Sequence, residues 1–219
     1  MSRAGAALRA LIWPRRCLLC HALLPDGADP NPRLCAFCAA RLPEPFSGSR
    51  RGSHYRRWAA AFHYEDPFRS SFLRYKFGGC RFYAGLYGLW LAEAVRKQLG
   101  SGYDLLTYIP ISALRRRRRG FDQTLLLARE LGAHLGMAPV CTLKKSSLVR
   151  PQSRMIRAED RQRNVRGAFR VINPEAVRGK RVLLIDDVLT TGATVSEAAR
   201  MLMAAGAKQV DVATLAAAT

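Results

Sequence analysis

The spacing of apolar residues changes along the chain, and the changes mark its elements. Val182-Leu183-Leu184-Ile185 is an unbroken aliphatic run inside RVLLID (181–186). Such a run is expected of a central parallel strand buried on both faces. TVSEAARMLMAAG (194–206) then takes a helical period, and VDVATLA (210–216) returns to a strand. Further upstream, AAAFHYE (59–65) predicts a first strand and PFRSSFLRYKF (67–77) a helix opened by a proline in its first turn. FYAGLYGLWLAEAVRKQL (82–99) predicts a longer helix and DLLTYIP (104–110) a buried strand. DQTLLLARELGAHLG (122–136) predicts a helix with Asp122 near its N-cap and Gly136 near its C-cap. VCTL (140–143) and AFRV (168–171) read as short strands, and RRRRRG (115–120) as an arginine-rich loop. Alternation of strand and helix at this spacing implies parallel βαβ units, hence an α/β domain from about Trp58 onward.

Two stretches lack such a pattern. Residues 1 to about 45 are rich in Cys, Pro and Arg, and FSGSRRGSHYRR (46–57) reads as a polar linker. Residues 144–167, KKSSLVRPQSRMIRAEDRQRNVRG, form a basic segment long for a loop within a compact domain, a length usually kept for function. The 219 residues suffice for one ordinary domain and a small appendage. A hydrophobic share of 49% excludes a disordered chain. The net charge of +20 favours an anionic partner: phosphates, nucleic acid or an acidic membrane surface. No apolar run approaches the roughly 20 residues of a membrane span. The opening MSRAGAALRALIWPRRC is too brief and too interrupted for a signal peptide and reads as a short docking helix, so a cytoplasmic location is expected.

Four of the six cysteines form two CxxC units, Cys17/Cys20 and Cys35/Cys38, with 14 residues between them. Each unit offers two thiolates on one turn, and the loop brings the second turn round to complete a tetrahedron, the pattern of a structural zinc ribbon. His21 is read as a bystander, since the four cysteines already close the site. Cys80 and Cys141 are isolated.

The apolar run 182–185 leads into Asp186 and Asp187, then Thr190-Thr191-Gly192-Ala193-Thr194 and a helix. In open parallel sheets, ligands bind beyond the carboxyl ends of strands. Small and hydroxylated residues at a helix N-terminus leave consecutive N–H groups free to hold a phosphate. No GxxxxGK is present, so this is not a Walker A loop. Two acids for vicinal hydroxyls beside donors for a phosphate describe a ribose 5-phosphate site.

VLLIDDVLTTGAT resembles the phosphoribosyl pyrophosphate (PRPP) motif of type I phosphoribosyltransferases, and nearly the whole chain resembles the ComF family. IPISALRRRRRGFDQTLLLAREL looks like that family's proline strand, basic loop and RGFNQ signature, with Asp122 where the family has Asn. RPQSRMIRAEDRQRNVRGAF, RYKF (74–77) and WPRRCLLC also fit. The resemblance implies a type I phosphoribosyltransferase fold over 58–219, joined by a 46–57 linker to an N-terminal helix and four-cysteine zinc ribbon over 1–45. It implies that Asp186 and Asp187 bind the ribose hydroxyls, one of them assisting catalysis, and that Thr190, Thr191, Gly192, Ala193 and Thr194 bind the 5-phosphate. Ile111, Ser112 and Ala113 fall where the family binds pyrophosphate, with Arg115 and Arg119 beside them. Residues 144–167 fall at a mobile catalytic loop, in which Gln152, Arg161 and Asn164 match the family segment. Magnesium is the implied cofactor of the reaction, with PRPP supplying many of its ligands.

Two functions stay open on this reading. One is transfer of the phosphoribosyl group to an unidentified nitrogen acceptor. The other is an accessory role with single-stranded DNA and a helicase-type partner in DNA uptake, to which the charge, the zinc ribbon and Tyr55, Trp58, Tyr75 and Phe77 are suited. The oligomeric state stays open, with a homodimer one alternative because related domains often pair.

Overall fold

The computed structural model describes residues 14–24, 33–42, 45–47, 52–146 and 165–218. Helix α1 (Ala36–Ala39) lies in the cysteine-rich region. Strand β1 (Trp58–His63) is followed by helices α2 (Phe68–Phe77) and α3 (Tyr83–Gln98). Then come β2 (Leu105–Tyr108), α4 (Ala113–Arg119), α5 (Gln123–Leu135), β3 (Pro139–Val140) and β4 (Leu143–Lys145). The chain closes with β5 (Phe169–Val171), β6 (Arg181–Leu189), α6 (Ala193–Ala204) and β7 (Gln209–Ala217). Five strands form a parallel sheet in the order β1-β7-β6-β2-β3. β4 and β5 make a separate antiparallel pair.

Alternation along the strands sorts the core into two halves. Leu183 and Ile185 of β6 join Leu106 of β2 and Ala213 and Leu215 of β7 against α2, α3 and α5. Val182 and Leu184 join Leu105, Val210 and Val212 against Val195, Ala198, Ala199 and Leu202 of α6. Both faces are covered, which is why β6 carries a continuous aliphatic run. α3 crosses α5 closely at Gly88: a Cβ there would stand 2.4 Å from the Glu130 Cβ and 2.9 Å from the Leu131 nitrogen. The stretch expected as a linker lies on this domain where it is described. Phe46 is buried against the Trp58 ring, and Arg56 donates to the buried Asp211 on β7.

Two expectations are corrected. The run expected as an arginine-rich loop forms helix α4. The Ser112 hydroxyl accepts from the Arg115 N–H at 3.4 Å, and Gly120 ends the helix in the left-handed conformation, φ 74°. Arginine is a good helix former, but α4 buries no side chain, so no apolar period announces it. β6 also runs two residues past the acids, to Leu189, because β7 continues beside it, pairing Asp186 with Thr214 and Leu189 with Ala217.

Candidate functional site

On its other edge β6 loses its neighbour just before the acids. β2 ends its pairing at Tyr108↔Ile185, and Pro110 carries no N–H with which to extend the ladder. The chain turns through Ile111 and Ser112 into α4, leaving a cavity of about 270 Å³. Asp186, Asp187, Lys76, Gln123, Lys145 and Arg115 line it, with Tyr64 and Phe72 forming an aromatic wall. Asp122 pins the turn. One oxygen of its carboxylate accepts from the Thr124 and Leu125 N–H groups at the start of α5, at 3.1 Å each. The other accepts from the Ile111 N–H at 3.2 Å.

The two acids differ by parity. Asp187 shares the side of Leu183 and Ile185 and meets α2 and α5. Its Oδ2 lies 2.9 Å from Lys76 Nζ and accepts from Gln123 Nε2 at 3.1 Å, while its Oδ1 accepts from the Val188 N–H at 2.7 Å. Asp186 Oδ1 accepts from the Asp187 N–H at 2.8 Å. Burial, then the adjacent Asp187 charge, push the Asp186 carboxyl up to about 8, against the pull of that N–H and of Lys76 and Lys145. Lys145 is drawn down, by burial first and by Arg115 second, with the two acids opposing. Two carboxyl groups and three basic side chains thus share a small space. An anionic ligand would find cations at hand, and a polyol would find acceptors.

The loop 190–194 serves two cavities. Thr190 and Thr194 line the acid cleft. Thr191, Gly192 and Ala193 line a neighbouring cavity of about 390 Å³, together with Tyr55, Arg166 and Arg200. Gly192 stands at the N-cap of α6 with φ 75°, a left-handed conformation that favours glycine although space is not short, the nearest atom to an added Cβ being 3.9 Å away. Among the other residues singled out, Ile111 and Arg115 line the acid cleft, whereas Ser112 and Ala113 stand at the start of α4 outside the set that lines it. Arg119 does not line it either; its guanidinium sits 4.7 Å over the exposed Phe77 ring. Gln152, Arg161 and Asn164 lie outside the described residues. Lys76, Gln123 and Lys145 escaped the sequence reading as site residues. Lys76 and Gln123 stand in the quoted RYKF and RGFDQ stretches, but no local pattern singles out either side chain.

The four cysteine sulfurs all lie within 4.8 Å of one another, with Cys20 and Cys35 Sγ 3.7 Å apart. A tetrahedron of Zn–S bonds of about 2.3 Å has edges of about 3.8 Å, so the donor set and its spacing fit zinc. Burial raises the Cys17 thiol, but N–H groups of Cys20, Cys35 and Leu19 outweigh it and bring it to about 7, nearer the thiolate a metal needs. Cys38 is driven up by burial. His21 turns away, its Nε2 lying 2.9 Å from the Tyr83 hydroxyl.

A parallel sheet covered on both faces, with paired acids on its central strand and a hydroxyl-bearing turn opening the next helix, defines an α/β protein with a ligand-sized cleft beyond the carboxyl ends of its strands. The chain belongs to the phosphoribosyl transferase domain family, whose model matches residues 88–219. It is 34% identical over 136 residues to DNA utilization protein YhgH of Salmonella typhi, covering 59% of this chain and 57% of that protein. It is 29% identical over 155 residues to Competence protein F of Haemophilus influenzae, covering 68% of each. Competence protein ComFC of Streptococcus pneumoniae is 29% identical over 153 residues, 69% of this chain and 64% of that protein. The match thus spans somewhat over half the length of the first of these relatives. Among the described residues no helix is long and apolar enough to cross a membrane.

Proposed function

We propose that the protein binds PRPP at the cleft around Asp186 and Asp187 and transfers its phosphoribosyl group to a nitrogen acceptor. The observation that carries this reading is the acid pair opening beside the 190–194 turn, within the segment that the family model matches. In this reading Asp186 and Asp187 accept hydrogen bonds from the ribose 2- and 3-hydroxyls. Thr190 to Thr194 hold the 5-phosphate through hydroxyls and the open N–H groups of α6. Ser112 and Ala113, at the start of α4, with Arg115 and Lys145, face the pyrophosphate, while the Ile111 N–H stays committed to Asp122. The bond from the anomeric carbon to pyrophosphate breaks, one to nitrogen forms, and the acceptor's proton leaves to a base. Positive charge develops on the sugar, so a carboxylate close to the ring stabilises the transition state. Magnesium bound with the substrate would neutralise pyrophosphate charge, and Asp186 and Asp187 are the hard oxygen donors that fit it. Of residues 144–167, Lys144 and Lys145 are fixed in β4, and the stretch beyond them that carries Gln152, Arg161 and Asn164 would close over the site and keep out water. Arg119 would support that edge from its place on Phe77. Zinc at the four cysteines is structural in this reading, and the chain works in the cytoplasm.

The test is calorimetric. Wild type binds PRPP in the presence of magnesium, and Asp186→Asn combined with Asp187→Asn abolishes binding. Unaltered binding in that variant removes the site assignment, and a screen of nitrogen acceptors for pyrophosphate release then identifies the transfer.

A second reading has its own support. Arg115 to Arg118 are all exposed on α4, and Phe77 beside them is 65% exposed under Arg119. A basic helix next to an accessible ring suits single-stranded DNA, and relatives are named for competence and DNA utilization. Trp58 and Tyr75 take no part, since both are core residues. A helicase-type partner belongs to this reading, whereas pairing of two copies is compatible with either. Competition decides how the two are related: DNA and PRPP either displace one another or bind together.

A further inference from the structure

Three consecutive side chains in the last turn of α2 reach three different parts of the molecule. Arg74 reaches the cysteine module: its Nη2 donates to the Leu19 carbonyl, and its Nε donates to the Tyr83 hydroxyl at 3.2 Å. That hydroxyl also meets His21, so Arg74 and Tyr83 together clasp both neighbours of Cys20. Tyr75 is wholly buried and its hydroxyl donates to the Gln123 carbonyl at 2.6 Å. Lys76 extends to Asp187 Oδ2, the same oxygen that accepts from Gln123 Nε2. One tripeptide therefore spans the distance from a CxxC turn to the acid pair. The family match begins at residue 88, so none of these three residues falls within it.

The position of this tripeptide makes it sensitive. α2 has ten residues, ends at Phe77 and is followed by two glycines, Gly78 and Gly79. The end of such a helix frays unless side chains hold it. Lys76 carries a long flexible stem, and its ammonium stays on one carboxylate oxygen only while the backbone beneath it is fixed. The cysteine module supplies that fixing. Leu18, between Cys17 and Cys20, is buried in the same cluster as Phe72, Tyr75 and Tyr83. The Arg33 backbone carbonyl accepts from the Leu18 N–H at 2.8 Å, and the Arg33 guanidinium donates to the Phe82 carbonyl at 2.9 Å.

We infer that the four-cysteine module is a positioning element for the acid cleft, acting through Arg74 to hold the last turn of α2 so that Lys76 stays on Asp187. The relay stands on these contacts alone; its consequence for ligand binding rests on the PRPP reading of the cleft.

The test uses the full chain with its metal and two readouts. The first is acetylation of Lys76 by N-hydroxysuccinimidyl acetate, mapped by mass spectrometry against the exposed Lys180 as reference. Arg74→Met raises the Lys76 rate about fivefold, as does chelating the metal from wild type, with the sheet domain shown to be folded by circular dichroism. The second is the magnesium–PRPP Kd. Arg74→Met and Lys76→Met each weaken it about fivefold, and the double variant is no weaker than Lys76→Met alone. Should Arg74→Met not fold, Arg74→Lys and the metal-free wild type carry the same comparison. Unchanged Lys76 labelling in the variant and in metal-free protein overturns the inference, whatever PRPP does. Raised labelling with unchanged Kd overturns the claim that the module positions the acid cleft. Raised labelling in a protein whose wild type does not bind PRPP at all upholds the relay and removes the PRPP reading instead.

Discussion

Asp186 is the residue whose chemistry the cleft changes most. Its folded-state affinity for a proton is raised, so it contributes stability that is fully present below the ordinary carboxylate value of 3.8 and is lost as pH rises toward about 8. Asp186→Asn cannot ionise. The stability of that variant relative to wild type therefore grows as pH rises from about 4 to about 8, which thermal melts across that range would show. Ligand binding reverses the preference, because ribose hydroxyls donate to a carboxylate better than to a carboxylic acid. PRPP binding at pH 7 is then expected to release a proton from Asp186. Calorimetry in buffers of different ionisation enthalpy measures it, and the release disappears in Asp186→Asn. The acids themselves stand out in the sequence because two carboxylates following four aliphatic residues is a rare pattern. Lys76 and Gln123 do not, because what matters is that α2 and α5 both abut the Asp187 side of β6, which no local period encodes. Asp122 is a case between these. Its capping role follows from its place before an apolar helix, but its second bond, to the Ile111 N–H, depends on the turn after β2 coming back to it.

At the scale of elements, what could be read in advance is what buries a face. α3 buries Tyr83, Tyr87, Leu91 and Val95 at helical spacing, and α5 buries Leu127 and Leu131, so both announce themselves. VCTL behaves differently. It is split between β3 on the main sheet and β4 on the small pair, with Thr142 tied to Thr107 at 2.7 Å between them. A four-residue run carries too little period to reveal such a split. α4 is the extreme case, a helix written only in its caps. Its exposure also gives it a function that can be tested apart from the cleft. Arg116, Arg117 and Arg118 are exposed and do not line the cavity around the acids. If α4 tracks a single-stranded backbone, replacing all three with alanine lowers the slope of log K for DNA against log salt concentration by about 2, since each lost phosphate contact removes about 0.7. Fluorescence anisotropy with an oligothymidine at several salt concentrations reads that slope. An unchanged slope removes α4 from the DNA surface.

At the scale of the whole molecule, the chain closes on itself through one buried acid. Asp211 of β7 is 0% exposed and gathers donors from distant parts of the sequence. Arg56 donates to both its oxygens, at 2.7 and 3.1 Å, the Arg57 N–H donates at 3.1 Å, and the Tyr103 hydroxyl donates at 2.8 Å. The approach to β1, the turn before β2 and the last strand are thus held at one carboxylate. Burial alone would raise the Asp211 carboxyl, but the Arg56 and Tyr103 hydrogen bonds outweigh it and leave it below its ordinary value. With a lowered folded-state value, the stabilisation is present above about 3.8 and is lost as pH falls from there through the folded value. Asp211→Asn keeps the volume and removes the charge. Arg56 is 44% exposed in its side chain and can return to water, so the cost is nearer that of charged hydrogen bonds than of a stranded buried ion, about 2 kcal/mol at pH 7. Urea unfolding at pH 7 should show that loss, and the gap between variant and wild type should narrow as pH falls below about 4. A gap that keeps its full size at low pH would mean that the charge on Asp211 does not carry the closure, and that packing around β7 does.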